Sequence, residues 1–191
     1  MLSNNTILQD SFFNQPTLRV AEALIGKLLV HSHGGKTESG FIAEVEAYDG
    51  FDDQASHAHR GRTERNAVMF GPAGYWYVYR VYGMHWMLNI VTGRENFPAA
   101  VLVRGIRMRD GTHYDGPGKL TRAYGITDTY NKTQATPASS LWIEDHGMIV
   151  PKRAIRKTPR IGVDYAGPVW SQKPYRFVID DTFVFPEIRI Y

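Results

Sequence analysis

The most constraining feature of this chain is its apolar pattern, which runs at period two in short stretches cut by glycine and proline, with little spacing of the helical kind. Residues 28–31 and 41–48 read as two strands joined through His33-Gly34-Gly35. Residues 75–82 and 85–92 read as a hairpin whose tip lies near 82–85, around Gly83-Met84. Residues 99–108 form a further strand, and 141–143, 160–163 and 175–179 are weaker ones. Helical spacing is confined to two places. Thr17 is positioned to cap a helix carrying Leu18, Ala21, Leu24 and Ile25 on one face and stopping at Gly26, and residues 120–124 follow a Gly/Pro turn at 115–119. No regular βαβ alternation appears, so a parallel doubly wound sheet is excluded. The expectation is an α+β fold over residues 1–191: one domain with a mainly antiparallel curved β-sheet core, flanking short helices and a protruding aromatic β-hairpin. A chain of 191 residues suits one domain of that kind.

The absence of cysteine removes disulfides, thiolate-bound zinc, iron–sulfur clusters and thiol nucleophiles together. Residues 1–30 show no basic start followed by an apolar run, and no stretch is long enough to span a bilayer. A cytoplasmic protein with no membrane partner is expected, nucleoid-associated in a bacterium or nuclear in a eukaryote. The formal charge of +3 hides a local excess: Lys152, Arg153, Arg156, Lys157 and Arg160 lie within nine positions, leaving the rest of the chain at −2. Such a run is either a solvated face or a surface for a phosphate backbone.

Several constellations can carry chemistry. Alternation along 41–48 puts Phe41, Ala43, Val45 and Ala47 on one face and Glu44, Glu46 and Tyr48 on the other. Two carboxylates two residues apart can act together or simply line a solvated strand. The long polar segment 49–74 follows, carrying His57 and His59 beside Arg60, Arg62 and Arg65, with a helical stretch near 65–70. Neither His57-x-His59 nor His31-x-His33 has a third ligand at a recognisable spacing, so no metal and no cofactor are expected. The turn Gly116-Pro117-Gly118-Lys119-Leu120 lacks the spacing of a nucleoside-triphosphate loop, but its N–H groups and lysine can hold one phosphate. Residues 127–140 are rich in Thr, Asn and Ser and read as a surface loop. Six of the 24 aromatic residues fall within 75–86. Core packing accounts for one face of that hairpin, whereas an aromatic at the tip suits insertion into a base stack.

In order, Glu44-Val45-Glu46-Ala47-Tyr48, Ala55-Ser56-His57, Arg65-Asn66-Ala67-Val68-Met69-Phe70, Tyr77-Val78-Tyr79-Arg80-Val81-Tyr82-Gly83-Met84, Leu88-Asn89-Ile90, Val101-Leu102-Val103-Arg104 and Gly116-Pro117-Gly118-Lys119-Leu120 resemble the motifs of the methylpurine (alkyladenine) DNA glycosylases. The resemblance runs over residues 12–177 and implies a monofunctional enzyme that excises alkylated or deaminated purines from double-stranded DNA. By position it makes Glu46 the general base and Arg104 its orienting partner. Tyr48, His57, Tyr79, Asn89 and Leu102 become the pocket for the flipped base, with Asn89 set against the exocyclic amine of guanine. Tyr82 becomes the residue that fills the vacated stack, and Met84, Arg62 and Lys119 become contacts to the DNA backbone. No lysine in these motifs is placed as an amine nucleophile, which implies hydrolysis to an abasic site without strand cleavage. His59, Glu64 and His85 depart from the pattern at an expected aromatic, a proline and a tyrosine. A monomer is expected on a two-stranded substrate. Two other classes stay open on the residues alone: a non-catalytic DNA-damage binding protein, and a carbohydrate hydrolase using Glu44 and Glu46 as an acid/base pair.

Overall fold

The chain forms ten strands, seven of them near their expected positions. In a computed structural model that describes residues 6–180 and 182–185, they are β1 (Thr6–Ile7), β2 (Leu28–His33), β3 (Lys36–Asp49), β4 (Trp76–Val81), β5 (His85–Val91), β6 (Ala99–Met108), β7 (His113–Asp115), β8 (Leu141–Asp145), β9 (Ile155–Thr158) and β10 (Arg176–Ile179). The helices are short: α1 (Asp10–Phe13), α2 (Thr17–Leu24), α3 (Pro117–Ala123) and α4 (Gly167–Trp170). The outermost parts of the expected 1–191 span lie outside the described residues.

Among the described residues the strands join in one sheet of order β1-β8-β2-β3-β6-β5-β4, with β10 added to β3, β9 to β10 and β7 to β6. Every pairing is antiparallel. The fold is therefore α+β with a mainly antiparallel sheet, as the apolar pattern implies. Strand β3 is its axis: β2 and β10 share one edge of it and β6 occupies the other. The main core gathers Leu24 of α2, Val45 and Ala47 of β3, Trp76, Leu88, Val101, Val103 and Phe177.

Strict alternation fails at one informative point. The β3–β6 register slips between Ile42 and Glu44 and again between Glu44 and Val45, so Ala43 and Arg104 are left out of the pairing. These irregularities change the phase of both strands, as bulges do. Phe41 consequently leaves the face predicted for it and packs with Leu28, Val30 and Met148, while Ile42 joins the main core. Gly105 sits opposite Glu44, where a Cβ would come within 3.3 Å of the Glu44 Cβ; glycine lets the two strands close over that carboxylate.

Other expectations are corrected. Thr17 begins α2 without capping it, and its hydroxyl donates to Asp49 Oδ1 at 2.7 Å instead, tying the helix to the end of β3. Residues 160–163 form a turn, not a strand, because Gly162 adopts φ +74°. The short strands β7 and β9 carry too little apolar pattern to be read from sequence. The loop 127–140 is not merely surface: Trp76 N–H donates to Thr133 O at 2.8 Å and Val78 N–H to Asn131 Oδ1 at 3.1 Å, so the loop covers the open edge of β4. The paired strands β4 and β5 also spend their aromatics mostly inward. Trp76 and Tyr77 are fully buried, Tyr79 and Trp86 half-buried, and Tyr82 is 89% exposed.

The long segment after β3 is ordered by one buried acid. Asp53 accepts from the N–H groups of Asp49 and Ala55 at 3.0 and 3.1 Å, and both its oxygens meet the Arg160 guanidinium at 2.6 and 2.7 Å, with both side chains 0% exposed. Removing one partner of such a pair strands a buried charge, at roughly 3–5 kcal/mol. Asp53→Ala is accordingly expected to lower stability by about that amount in denaturant titration; a loss below about 1 kcal/mol would show that the pair does not hold the loop.

Candidate active site

Glu44, Glu46 and Tyr48 share one face of β3, and that face is closed by other elements. The Glu46 side chain is 0% exposed. Its Oε1 accepts the Ile161 N–H at 2.8 Å and its Oε2 accepts the Tyr48 hydroxyl at 3.0 Å. Arg104 faces both carboxylates, with Nε 2.8 Å from Glu44 Oε1 and 3.4 Å from Glu46 Oε1, and Nη1 3.5 Å from Glu46 Oε2. Glu44 is further held by Arg176 Nε at 2.6 Å. Arg104 is thus anchored on Glu44 and touches Glu46 more loosely. Burial raises the Glu46 pKa; Arg104, the Ile161 N–H and the Tyr48 hydroxyl oppose that rise, and Glu44 adds to it. Burial and the Glu46 charge lift the Tyr48 phenol well above its usual value, so it stays a donor. An acid/base pair of Glu44 and Glu46 is disfavoured by geometry, because Glu44 is held by the guanidiniums of Arg104 and Arg176 and is turned to structural use.

Beside this cluster lies a cavity of about 40 Å³ walled by Tyr48, His57, Met69, Tyr77, Tyr79, Asn89 and Tyr165, among others. It adjoins a groove of about 940 Å³, the two sharing Tyr48, His57, Tyr79 and Tyr165. The structure therefore brings together four of the five side chains expected to form a base pocket: Tyr48, His57, Tyr79 and Asn89. Leu102 lies in the groove, not the cavity. His57 Nδ1 is 3.1 Å from the Tyr77 hydroxyl, and its ring stands edge-on to Tyr79 at 4.6 Å. Burial and then the Arg65 charge lower the His57 pKa, which keeps the imidazole neutral near pH 7. Burial pushes the Tyr77 phenol up to about 12. The Asn89 amide N–H groups are both spent on the carbonyls of Tyr77 and Met87, at 3.0 and 3.1 Å, so this side chain is a fixed wall.

The remaining expected residues surround the groove or lie beyond it. Tyr82 lines it and occupies φ +50° in a two-residue turn with Gly83 at φ +65°, closed by Met84 N–H to Val81 O at 3.0 Å. Two consecutive left-handed residues match a type I′ turn, where tyrosine is an uncommon choice. Met84 is 67% exposed beside it. Arg62 is exposed with its guanidinium 5.5 Å over the Phe70 ring, and Lys119 is exposed on α3. Strand β5 packs closely on that helix, since a Cβ on Gly118 would meet His85 Nδ1 at 2.9 Å. His59 Nδ1 lies 2.9 Å from Phe51 O, within the loop itself. Among the described residues no three His, Asp or Glu side chains converge as metal ligands, and no helix is long and apolar enough to cross a membrane.

The basic run separates on folding. Arg160 is buried on Asp53 and stacks 4.7 Å over the Tyr48 ring, Lys157 pairs with Glu22 at 2.8 Å, and Arg156 lies 3.8 Å from Asp180. Folding thus removes Arg160 from the run, while Lys152, Arg153, Arg156 and Lys157 stay exposed. What sequence reasoning missed is the contribution of residues 160–165: Ile161 offers its N–H to Glu46, and Tyr165 walls the cavity. Nothing in the local pattern marks them, because their partners lie more than a hundred positions earlier. Tyr77 and Met69 stood within the quoted motifs without an assigned role.

Comparison with known proteins bears on the family of the chain. The profile of the family described as Methylpurine-DNA glycosylase (MPG) matches residues 11–183. A Myxococcus xanthus protein named "Putative 3-methyladenine DNA glycosylase" is 46% identical over 180 residues, covering 92% of this chain and 91% of its own. Proteins of the same name from Sodalis glossinidius, 47% identical over 183 residues (93% and 98% of the two chains), and Wolbachia pipientis subsp. Culex pipiens, 46% identical over 162 residues (84% and 85%), are similar throughout. The profile spans the strand of paired carboxylates, the aromatic cavity and the turn that carries Ile161, and on that extent of agreement the chain belongs to the methylpurine-DNA glycosylase family.

Proposed function

We propose that this protein excises alkylated or deaminated purines from double-stranded DNA by flipping the base into the aromatic cavity and hydrolysing its N-glycosidic bond. The observation that carries the proposal is the Glu46 carboxylate, sealed and hydrogen-bonded directly beside a cavity of aromatic rings. Tyr48 and Tyr79 offer faces on which a purine stacks, with His57 at their edge. Tyr82 fills the gap left in the duplex, offsetting the few kcal/mol lost on unstacking. Arg60 and Arg80 line the groove together with Tyr82, and Arg62, Met84 and Lys119 extend the contact to the backbone. The immobile Asn89 amide disfavours an added exocyclic amine by volume.

In the reaction, the C1′–N9 bond breaks with its electron pair moving to the purine, and positive charge builds on the sugar. Ionised Glu46 stabilises that charge and takes a proton from the water that bonds to C1′. Water enters between Tyr48, Arg104 and the Ile161 turn, the groups that seal the carboxylate in the free protein. Arg104 keeps Glu46 available as a base by opposing its desolvation. Among the described residues no lysine lines the groove or the cavity, which supports hydrolysis without a Schiff-base step and hence without strand cleavage.

Glu46→Gln is expected to lower single-turnover excision of hypoxanthine by about 10³-fold or more while duplex binding persists; retained turnover would remove Glu46 from the role of base. Because the Glu46 pKa is raised, the rate with the wild type should climb as pH rises through that elevated value and then level off, as an essential deprotonated group requires. A rate already flat across the acidic range would contradict a base of raised pKa. Tyr82→Asn relieves a left-handed residue and should stabilise the fold by about 1 kcal/mol in thermal melting. The same variant should slow excision of well-paired lesions by about tenfold and of mismatched ones less, since stacking on an aromatic is worth roughly 1–3 kcal/mol. Equal slowing of both lesion types would argue against insertion of Tyr82.

A further inference from the structure

The cavity has no acidic wall, yet a guanidinium stands at its mouth. Arg65 lines the groove that adjoins the cavity and lies 5.1 Å over the centroid of the Tyr79 ring. It is held there by a hydrogen bond from Nη2 to Arg80 O at 3.0 Å and makes no ion pair among the described residues. Glu46, the acid beside the cavity, is 0% exposed and faces Arg104. The other aromatic wall, Tyr48, also carries a guanidinium: Arg160 lies 4.7 Å over its ring. Arg160 differs in being buried and neutralised by Asp53. Arg60 and Arg80 line the groove as well, without an ion pair among the described residues, but Arg65 is the groove cation whose guanidinium lies over a wall of the cavity, so its charge acts on a base held against Tyr79.

We infer that Arg65 sets the enzyme's choice between two chemical classes of lesion, favouring electrically neutral purines over cationic N-alkylated ones. The inference rests on the glycosylase function proposed above. The reason is the charge carried by the leaving group. When the C1′–N9 bond breaks, its electron pair passes to the base. A neutral purine such as hypoxanthine departs as an anion, and a nearby guanidinium stabilises the charge as it develops. A purine alkylated at N7 starts as a cation and departs neutral, so the same guanidinium opposes its binding and gains nothing at the transition state. A cation over one face of Tyr79 also weakens the ring's attraction for a positively charged base. Arg65 thus acts with opposite sign on the two classes. A residue that only contacts a phosphate or holds the loop in shape would act on both alike.

The experiment is single-turnover excision at saturating enzyme, comparing duplexes that carry hypoxanthine or 7-methylguanine, with wild type, Arg65→Met and Arg65→Lys. Methionine keeps the apolar stem without charge, and lysine keeps the charge without the planar group. The expected result is that Arg65→Met slows hypoxanthine excision while 7-methylguanine excision is unchanged or faster, shifting their ratio by about tenfold or more. Arg65→Lys should hold the ratio near that of the wild type. An equal effect of Arg65→Met on both duplexes, or a ratio shift that Arg65→Lys reproduces in full, would overturn a charge-based role for Arg65 and leave the glycosylase function standing. Failure of the wild type to excise either base would overturn the glycosylase function and this inference with it.

Discussion

The buried pair of Asp53 and Arg160 is the interaction on which the site depends. It joins the loop that follows β3 to a turn more than a hundred residues later, with both side chains withdrawn from water. Arg160 also donates to Ala47 O at 2.8 Å and stacks on Tyr48, so the same guanidinium grips the end of the strand that carries Glu46. With Arg160 fixed, the next residue has its N–H 2.8 Å from Glu46 Oε1. Desolvating two charges costs several kcal/mol, and excellent geometry together with the N–H groups of Asp49 and Ala55 offsets that cost. The Arg160 guanidinium also lies 4.7 and 5.2 Å over the rings of Tyr48 and Tyr175, which pack it into the site.

The paired carboxylates divide their labour through environment. Glu44 sits among Arg104 and Arg176 and serves as an anchor. Glu46, two residues on, is more deeply buried and less tightly ion-paired, and burial works against its charged form. A group held ionised against desolvation is more reactive toward a developing positive charge than one already neutralised. The bulge around Ala43 and Arg104 makes this division possible, because it re-aims Arg104 between the two acids without breaking the sheet on either side.

Much of the frame was legible in the chain. Residues 99–108 form the expected strand to the residue, and the strands at 28–33, 36–49, 76–81 and 85–91 differ from expectation only at their ends. Period-two spacing and glycine turns are local signals, and antiparallel neighbours follow from short connections. The same local signals misled at Thr17, whose hydroxyl serves Asp49, and at 160–163, where apolar residues sit in a turn that serves Glu46 and lines the groove. The hairpin's aromatics were read partly as tools, whereas burial claims all of those within 75–86 except the exposed Tyr82 to some degree. Core packing of a β surface and stacking on a base ask for the same side chains, so sequence cannot separate them.

The sequence by itself determined the strand pattern, the shared face of Glu44, Glu46 and Tyr48, and the order of motifs that marks the family, since each of these is carried by residues close together in the chain. Only the tertiary structure decided which charges face one another. It buried Arg160 and withdrew it from the basic run, anchored Arg104 on Glu44, brought Ile161 and Tyr165 to the site, and set the Arg65 guanidinium over the Tyr79 ring. Electrostatic role follows from burial and from distances of a few ångströms, and neither is a property of position along the chain.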